Sequence, residues 1–140
     1  MNVKLACLTC GQGNRVPRER LTEAPKCGTC GAPLFPSSPV EIGLDVLEKA
    51  RGMDEVPLVV DFWAAWCGPC RMMAPEFAKA AGQMQGRARF AKLDTEAHPE
   101  VGAKFGIRGI PLLIRFRAGR EEARQAGAVS ASAIVEWMGQ

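Results

Sequence analysis

The residues best able to do chemistry are six cysteines, at positions 7, 10, 27, 30, 67 and 70, which form three Cys-x-x-Cys pairs with none left over. Cys7-Leu8-Thr9-Cys10-Gly11 and Cys27-Gly28-Thr29-Cys30-Gly31 are near copies with sixteen residues between the pairs. That spacing suits four thiolates converging on one tetrahedral zinc ion. Two intervening residues let a tight turn aim both sulfurs inward, and the glycine that follows permits a positive φ and lets backbone N–H groups approach the sulfurs. A closed four-thiolate site leaves no open position for substrate, so the expectation is one structural Zn2+ that folds the module, with thiolate oxidation and metal release as a redox-sensing variant of it. Two disulfides, or free thiols, are the competing reading.

The third pair sits in Trp66-Cys67-Gly68-Pro69-Cys70, between a strand-like run and a helix-like one. Backbone N–H groups and the dipole at a helix start stabilise negative charge on the first sulfur, which makes Cys67 the expected nucleophile. Cys70 falls within the first turn and can reach back to close a disulfide, and Pro69 fits an early helical position that needs no N–H. A second metal site would lack ligands, because the other four cysteines already make a set and His98 is the only histidine.

These groups need elements to hold them. Residues 1–36 contain few large apolar side chains, and so short a module rarely folds without a staple. Phe35-Pro36-Ser37-Ser38-Pro39 reads as a linker, which divides the chain into a four-cysteine module (1–36) and a second domain (37–140). In the latter, Ile42, Leu44, Val46, Leu47 and Ala50 predict a short helix ended by Gly52, and Val56–Trp63 a buried strand. Met73, Phe77, Ala80, Ala81 and Met84 predict a helix kinked at Pro75. A strand over Arg87–Leu93, a short helix around Pro99–Phe105, a hairpin turning at Ala118-Gly119 between Leu112–Arg117 and Arg120–Ala126, and a helix capped by Ser130 complete the order αβαβαββα. Helices between strands imply an α/β fold, a mixed sheet covered on both faces.

Composition narrows the function classes. The chain has 140 residues, 47% hydrophobic, with 18 Lys plus Arg against 15 Asp plus Glu. It is therefore globular rather than disordered. No apolar run approaches the ~18 residues of a membrane span, and no secretory signal is visible, so a cytoplasmic protein is expected. Five basic and two acidic residues fall in 1–36, too weak an excess to predict nucleic-acid binding.

Val60-Asp61-Phe62-Trp63-Ala64-Ala65-Trp66-Cys67-Gly68-Pro69-Cys70 resembles the active-site segment of the thioredoxin family. The likeness continues through Ala74-Pro75, Lys92-Leu93-Asp94, Gly106-Ile107-Arg108-Gly109-Ile110-Pro111 and Gly127-Ala128, spanning about residues 40–140. With its first module, the whole chain resembles the bacterial thioredoxin-2 type. The resemblance implies a thioredoxin fold behind a zinc-ribbon-like module, and a protein-disulfide reductase. By that likeness Cys67 attacks a client disulfide and Cys70 resolves the mixed disulfide, leaving a redox-active Cys67–Cys70 bond. Asp61 corresponds to a buried carboxylate beneath the dithiol that relays the Cys70 proton through water; the plainer reading, compatible with it, is a buried acid paired with Lys92, which matches the family's lysine at that place. Pro111 matches a cis-proline, and Trp66, Gly68, Pro69, Ile110, Gly127 and Ala128 match the docking surface for an extended client. Leu112 departs from the threonine many relatives carry there. Trp63, Met73, Phe77 and Met84 are expected to be core, and His98 to lie at the surface. The resemblance also implies disulfide-containing client proteins, recharging by an NADPH-dependent thioredoxin reductase, no bound organic cofactor, and a monomer. A zinc-dependent protein-interaction or chaperone module with an accessory dithiol is the alternative.

Overall fold

A computed structural model describes all residues from Met1 to Gln140. The chain opens with a hairpin, β1 (Asn2–Ala6) against β2 (Gly13–Pro17), and a single 3-10 turn at Arg18–Arg20. There follow β3 (Val40–Glu41), α1 (Leu44–Met53), β4 (Leu58–Trp63), α2 (Gly68–Gln83), β5 (Arg89–Asp94), α3 (Glu100–Lys104), β6 (Leu112–Arg117), β7 (Arg120–Ala126) and α4 (Ala131–Met138). The second sheet has the order β3-β5-β4-β6-β7, with the first three strands parallel and β6 and β7 antiparallel to their neighbours. It is the mixed α/β architecture of the thioredoxin fold.

The period of two along each strand builds the layers. On β4, Leu58, Val60 and Phe62 face one way, packing with Leu47 of α1, Val101 of α3, and Ala91 and Leu93 of β5. Val59 faces the other way, into a cluster with Met73 and Phe77 of α2, Phe90, Leu113, and Ile134 and Trp137 of α4. Asp61 shares the face of Val59 and is thereby aimed at the layer that contains α2.

Several elements differ from expectation. β3 adds a strand ahead of the order αβαβαββα; at two residues it is too short to show any periodicity, and Ile42 belongs to the connection after it. Helix α1 runs through Gly52 to Met53 rather than ending at the glycine. The Phe35–Pro39 stretch, whose linker composition allows either docking or free motion, is docked at its start. Phe35 is buried with Val3, Leu5, Val16, Leu34 and Val56, and its carbonyl accepts a bond from Gln85 Nε2 at 2.9 Å. The first module therefore packs directly on the second domain: Val56 completes the module's core, while Ala6 and Leu8 enter the α1–β4 core.

A dithiol turn and a four-thiol knuckle

Strand β4 ends at Trp63, and Cys67 is the N-cap of α2. Its Sγ accepts the Cys70 backbone N–H at 3.2 Å, so the sulfur occupies the place where a helix start presents unpaired donors. Pro69 sits in the first turn, and Pro75 lies further along the helix, which continues past it. Cys67 and Cys70 are joined by a disulfide with Cα atoms 5.2 Å apart. Cys67 Sγ lies 3.8 Å from the carbonyl oxygen of Ile110, and the Ile110–Pro111 peptide is cis. The same loop is braced on its far side by Gly127, whose N–H donates to the Pro111 carbonyl at 3.0 Å.

An open surface surrounds the dithiol. Trp66 is 65% exposed, and its indole N–H donates to Glu96 at 2.8 Å, which fixes the ring. One groove runs between Trp66, Pro99, Ile107 and Ile110, and a second between Ile110, Leu112, Ala126 and Gly127. Gly68 is half-buried, while Pro69, Gly127 and Ala128 are exposed. Trp66, Gly68, Pro69, Ile110, Pro111 and Gly127 thus lie on the elements that converge at the dithiol or border these grooves. Met72, on α2 two residues past Cys70, is 74% exposed, and nothing in the sequence singles it out, because it stands beside the buried Met73 in the same helical run.

Asp61 has no accessible surface, and neither of its carboxylate oxygens has a hydrogen-bond partner. Burial pushes its pKa up to about 7; Lys92 opposes the rise and Glu41 reinforces it. Asp61 and Lys92 are register partners on β4 and β5, yet the Asp61 oxygens have no partner and the alternative reading as a Lys92 pair is not met. The Lys92 ammonium instead lies over the Trp63 ring, 4.5 Å from its centre. Glu41 of β3 accepts the Trp63 indole N–H at 3.1 Å, and burial raises its own pKa. Trp63 is consequently a half-buried hub between a carboxylate and an ammonium rather than plain core. Glu41 is invisible in the sequence because the strand carrying it is.

The other four sulfurs all lie within 4.8 Å of one another. Cys7 and Cys30 are 3.6 Å apart and Cys10 and Cys27 3.7 Å, so none is disulfide-bonded. A tetrahedral Zn–S4 centre with bonds of about 2.3 Å needs sulfurs roughly 3.8 Å apart, close to the separations of these two pairs. The backbone donors sit where a thiolate cage needs them: Thr9 and Cys10 N–H point to Cys7 Sγ, and Thr29 N–H to Cys27 Sγ. Gly11 and Gly31 have φ of +81° and +79° as expected, and their own N–H groups close each turn on the Cys7 and Cys27 carbonyls. Asn14, for which the sequence carries no signal, bridges the knuckles: its amide donates to Cys27 Sγ at 3.5 Å and its oxygen accepts Gly28 N–H at 2.9 Å. Cys27 is held down to about 6, chiefly by the Cys30 backbone N–H and Asn14. Such a donor set fits a thiophilic cation.

The comparisons with known proteins agree with this geometry. The thioredoxin family model matches residues 47–140, and the family described as the amino-terminal part of thioredoxin 2 matches residues 6–32. Thioredoxin C-3 of Corynebacterium nephridii is 40% identical over 136 residues, covering 97% of this chain and 93% of that protein. Allochromatium vinosum thioredoxin is 39% identical, covering 71% of this chain and 92% of its own. Among solved structures, chloroplastic thioredoxin z superposes with a TM-score of 0.68 at 33% identity, over 73% of this chain and 92% of that one. A cysteine pair bonded across the first turn of a helix, beside a cis-proline loop, suits disulfide reduction, and the chain belongs to the thioredoxin family, with a zinc-ribbon-like four-cysteine module ahead of its redox domain.

Proposed function

We propose that the protein reduces disulfides in client proteins, with Cys67 as nucleophile and Cys70 as resolving thiol. One observation carries the reading: the Cys67 sulfur caps α2 and accepts the Cys70 N–H while facing the Ile110 carbonyl beside Pro111. In the reduced protein, the Cys67 thiolate attacks one sulfur of the client disulfide, forming a mixed disulfide and expelling the other client sulfur as a thiolate. Cys70, deprotonated, then attacks Cys67, releasing the second client thiolate and closing Cys67–Cys70. Two electrons have passed to the client, and both client thiolates take up protons.

Asp61 is the proton acceptor for Cys70, acting through water. A carboxylate poised near 7 changes protonation state at neutral pH, which an ordinary surface aspartate does not. Lys92 positions charge through the Trp63 ring rather than by direct pairing. The backbone around Ile110, with Trp66, Gly68, Pro69, Pro111, Gly127 and Ala128, docks an extended client segment. NADPH-dependent thioredoxin reductase returns the two electrons, and the protein works as a monomer in the cytoplasm.

Cys7, Cys10, Cys27 and Cys30 hold one Zn2+ in the module 1–36. The ion supplies the cross-link that so small a core needs, and the redox chemistry belongs to 37–140. The test is NADPH consumption with thioredoxin reductase and a disulfide-containing protein. Turnover is expected for the parent and its loss in Cys67→Ser; no turnover by a folded, metal-loaded parent would refute the reductase reading.

A further inference from the structure

Arg89 is 1% exposed and lies on β5, outside the four-cysteine module, with Asp54 just as buried beside it. The two form an ion pair, but the guanidinium does more than pair. Its Nε donates to the Leu34 carbonyl at 2.8 Å and its Nη2 to the Ala6 carbonyl. Asp54 uses its second oxygen to accept the Ala6 N–H at 2.9 Å. Ala6 therefore has both backbone groups held by the redox domain, and it immediately precedes Cys7. Leu34 closes the other end of the module, four residues after Cys30, and its N–H bonds the Pro25 carbonyl just before the second cysteine pair. A single guanidinium thus grips both strands of chain that carry the ligands.

Arg has the fork geometry for this, and it keeps its charge when buried. Every strong acceptor it uses is either Asp54 or a module carbonyl. If the knuckles separated, Arg89 would lose two acceptors and Asp54 its backbone donor, inside a site closed to water. Closing the knuckles on a cation and completing the Arg89–Asp54 clasp are hence the same structural event, and each must favour the other.

We propose that Arg89 and Asp54 are positioning residues for the metal, setting the affinity of the four-cysteine site from outside the module. The inference rests on the reading that the four thiols bind zinc. Outer-shell partners of metal ligands commonly change affinity by about 10–100-fold when removed, and that range is expected here.

Removing one partner alone would leave a buried charge, so the test uses the double variant Arg89→Met/Asp54→Leu in the full-length protein. Co2+ and Zn2+ affinities are measured by competition with a chromophoric chelator, and the Co2+–thiolate absorption reports the geometry. Val59→Ala, in the core on the opposite face of the sheet, controls for general loss of stability. The expected result is a folded double variant that yields its metal about 10–100-fold more readily, with Val59→Ala within twofold of the parent. A double variant with parental affinity, or a Val59→Ala that loses as much, overturns the proposal.

Hydrogen exchange on the parent gives an answer that needs no variant to fold. Stripping the metal should raise exchange at residues 54–56, 58 and 89 as well as in the module, and leave α4 protected. Loss of protection confined to residues 6–32 overturns the clasp. A parent that binds neither ion overturns the zinc reading and the clasp together, which separates the two failures.

Discussion

Replacing Asp61 by Asn should stabilise the protein, and by an amount that depends on pH in one specific way. The folded-state pKa is about 7 against an ordinary 3.8, because burial penalises the charged form. Each unit of such a shift corresponds to about 1.4 kcal/mol, so the full difference is about 4 kcal/mol. The sign follows from proton counting. Between these two values the folded protein holds a proton that the unfolded chain has released, so the stability of the parent falls as pH rises, by about 1.4 kcal/mol per unit. Below the lower value both states are protonated and the parent resembles the amide. Above the higher value the folded protein holds an unpaired carboxylate, and the penalty is complete.

The assay is urea unfolding of the oxidised proteins from about pH 4 to pH 9, followed by the fluorescence of Trp63, Trp66 and Trp137. Titrations elsewhere, including those of the four-cysteine site, are common to both proteins and cancel in the difference. The variant's advantage should be near zero at the acid end, climb between about pH 4 and pH 7, and level off above that at about 4 kcal/mol. A flat difference would refute the reasoning, since it would mean that Asp61 finds in solution the partner its two oxygens lack in the structure.

Glu41→Gln removes a charge that raises the Asp61 pKa, so the pH at which the same stability difference levels off, measured in the Glu41→Gln background, should move below about 7. Cys70→Ser should trap a client on Cys67 as a covalent adduct that mass spectrometry detects; an adduct that persists in the double variant Cys67→Ala/Cys70→Ser would exclude this assignment. Gly31 holds φ +79° with open space around it, so Gly31→Ala costs only backbone strain, about 1–2 kcal/mol read by thermal unfolding. Phe77, fully buried under β4 and packed at a tilt against Phe90 with ring centres 5.0 Å apart, should cost about 3–5 kcal/mol when cut to alanine, measured in urea.

The chemistry is legible in the sequence wherever it is local. A Cys-x-x-Cys pair closes its own turn, and Gly11 and Gly31 take the φ their positions demand, so three redox or metal pairs can be read from spacing alone. What depends on distant partners is not. Arg89 sits in a run that reads correctly as a strand, but nothing near it in sequence says that its charge is buried, because its partners are Asp54, Leu34 and Ala6. Phe35-Pro36-Ser37-Ser38-Pro39 has linker composition, yet Phe35 finds a pocket made by a hairpin and Val56. Lys92 is expected to pair with Asp61 from their matching places. Register does put them side by side, but pairing also needs the ammonium to turn inward, and the Trp63 face competes for it. The two-residue β3 and the Glu41 it carries fall below the length at which alternation means anything.

The Arg89 clasp also orders events in time. Ala6 and Arg89 are 83 residues apart, and Leu34 and Arg89 are 55 apart. A ribosome adding about 5–20 residues per second completes the four-cysteine module roughly 3–11 s before it makes the side chain that secures it. During that interval the module has its ligands but not its anchor. The four-cysteine module is therefore made before the side chain that locks it, and its locking requires that the chain has been translated into β5.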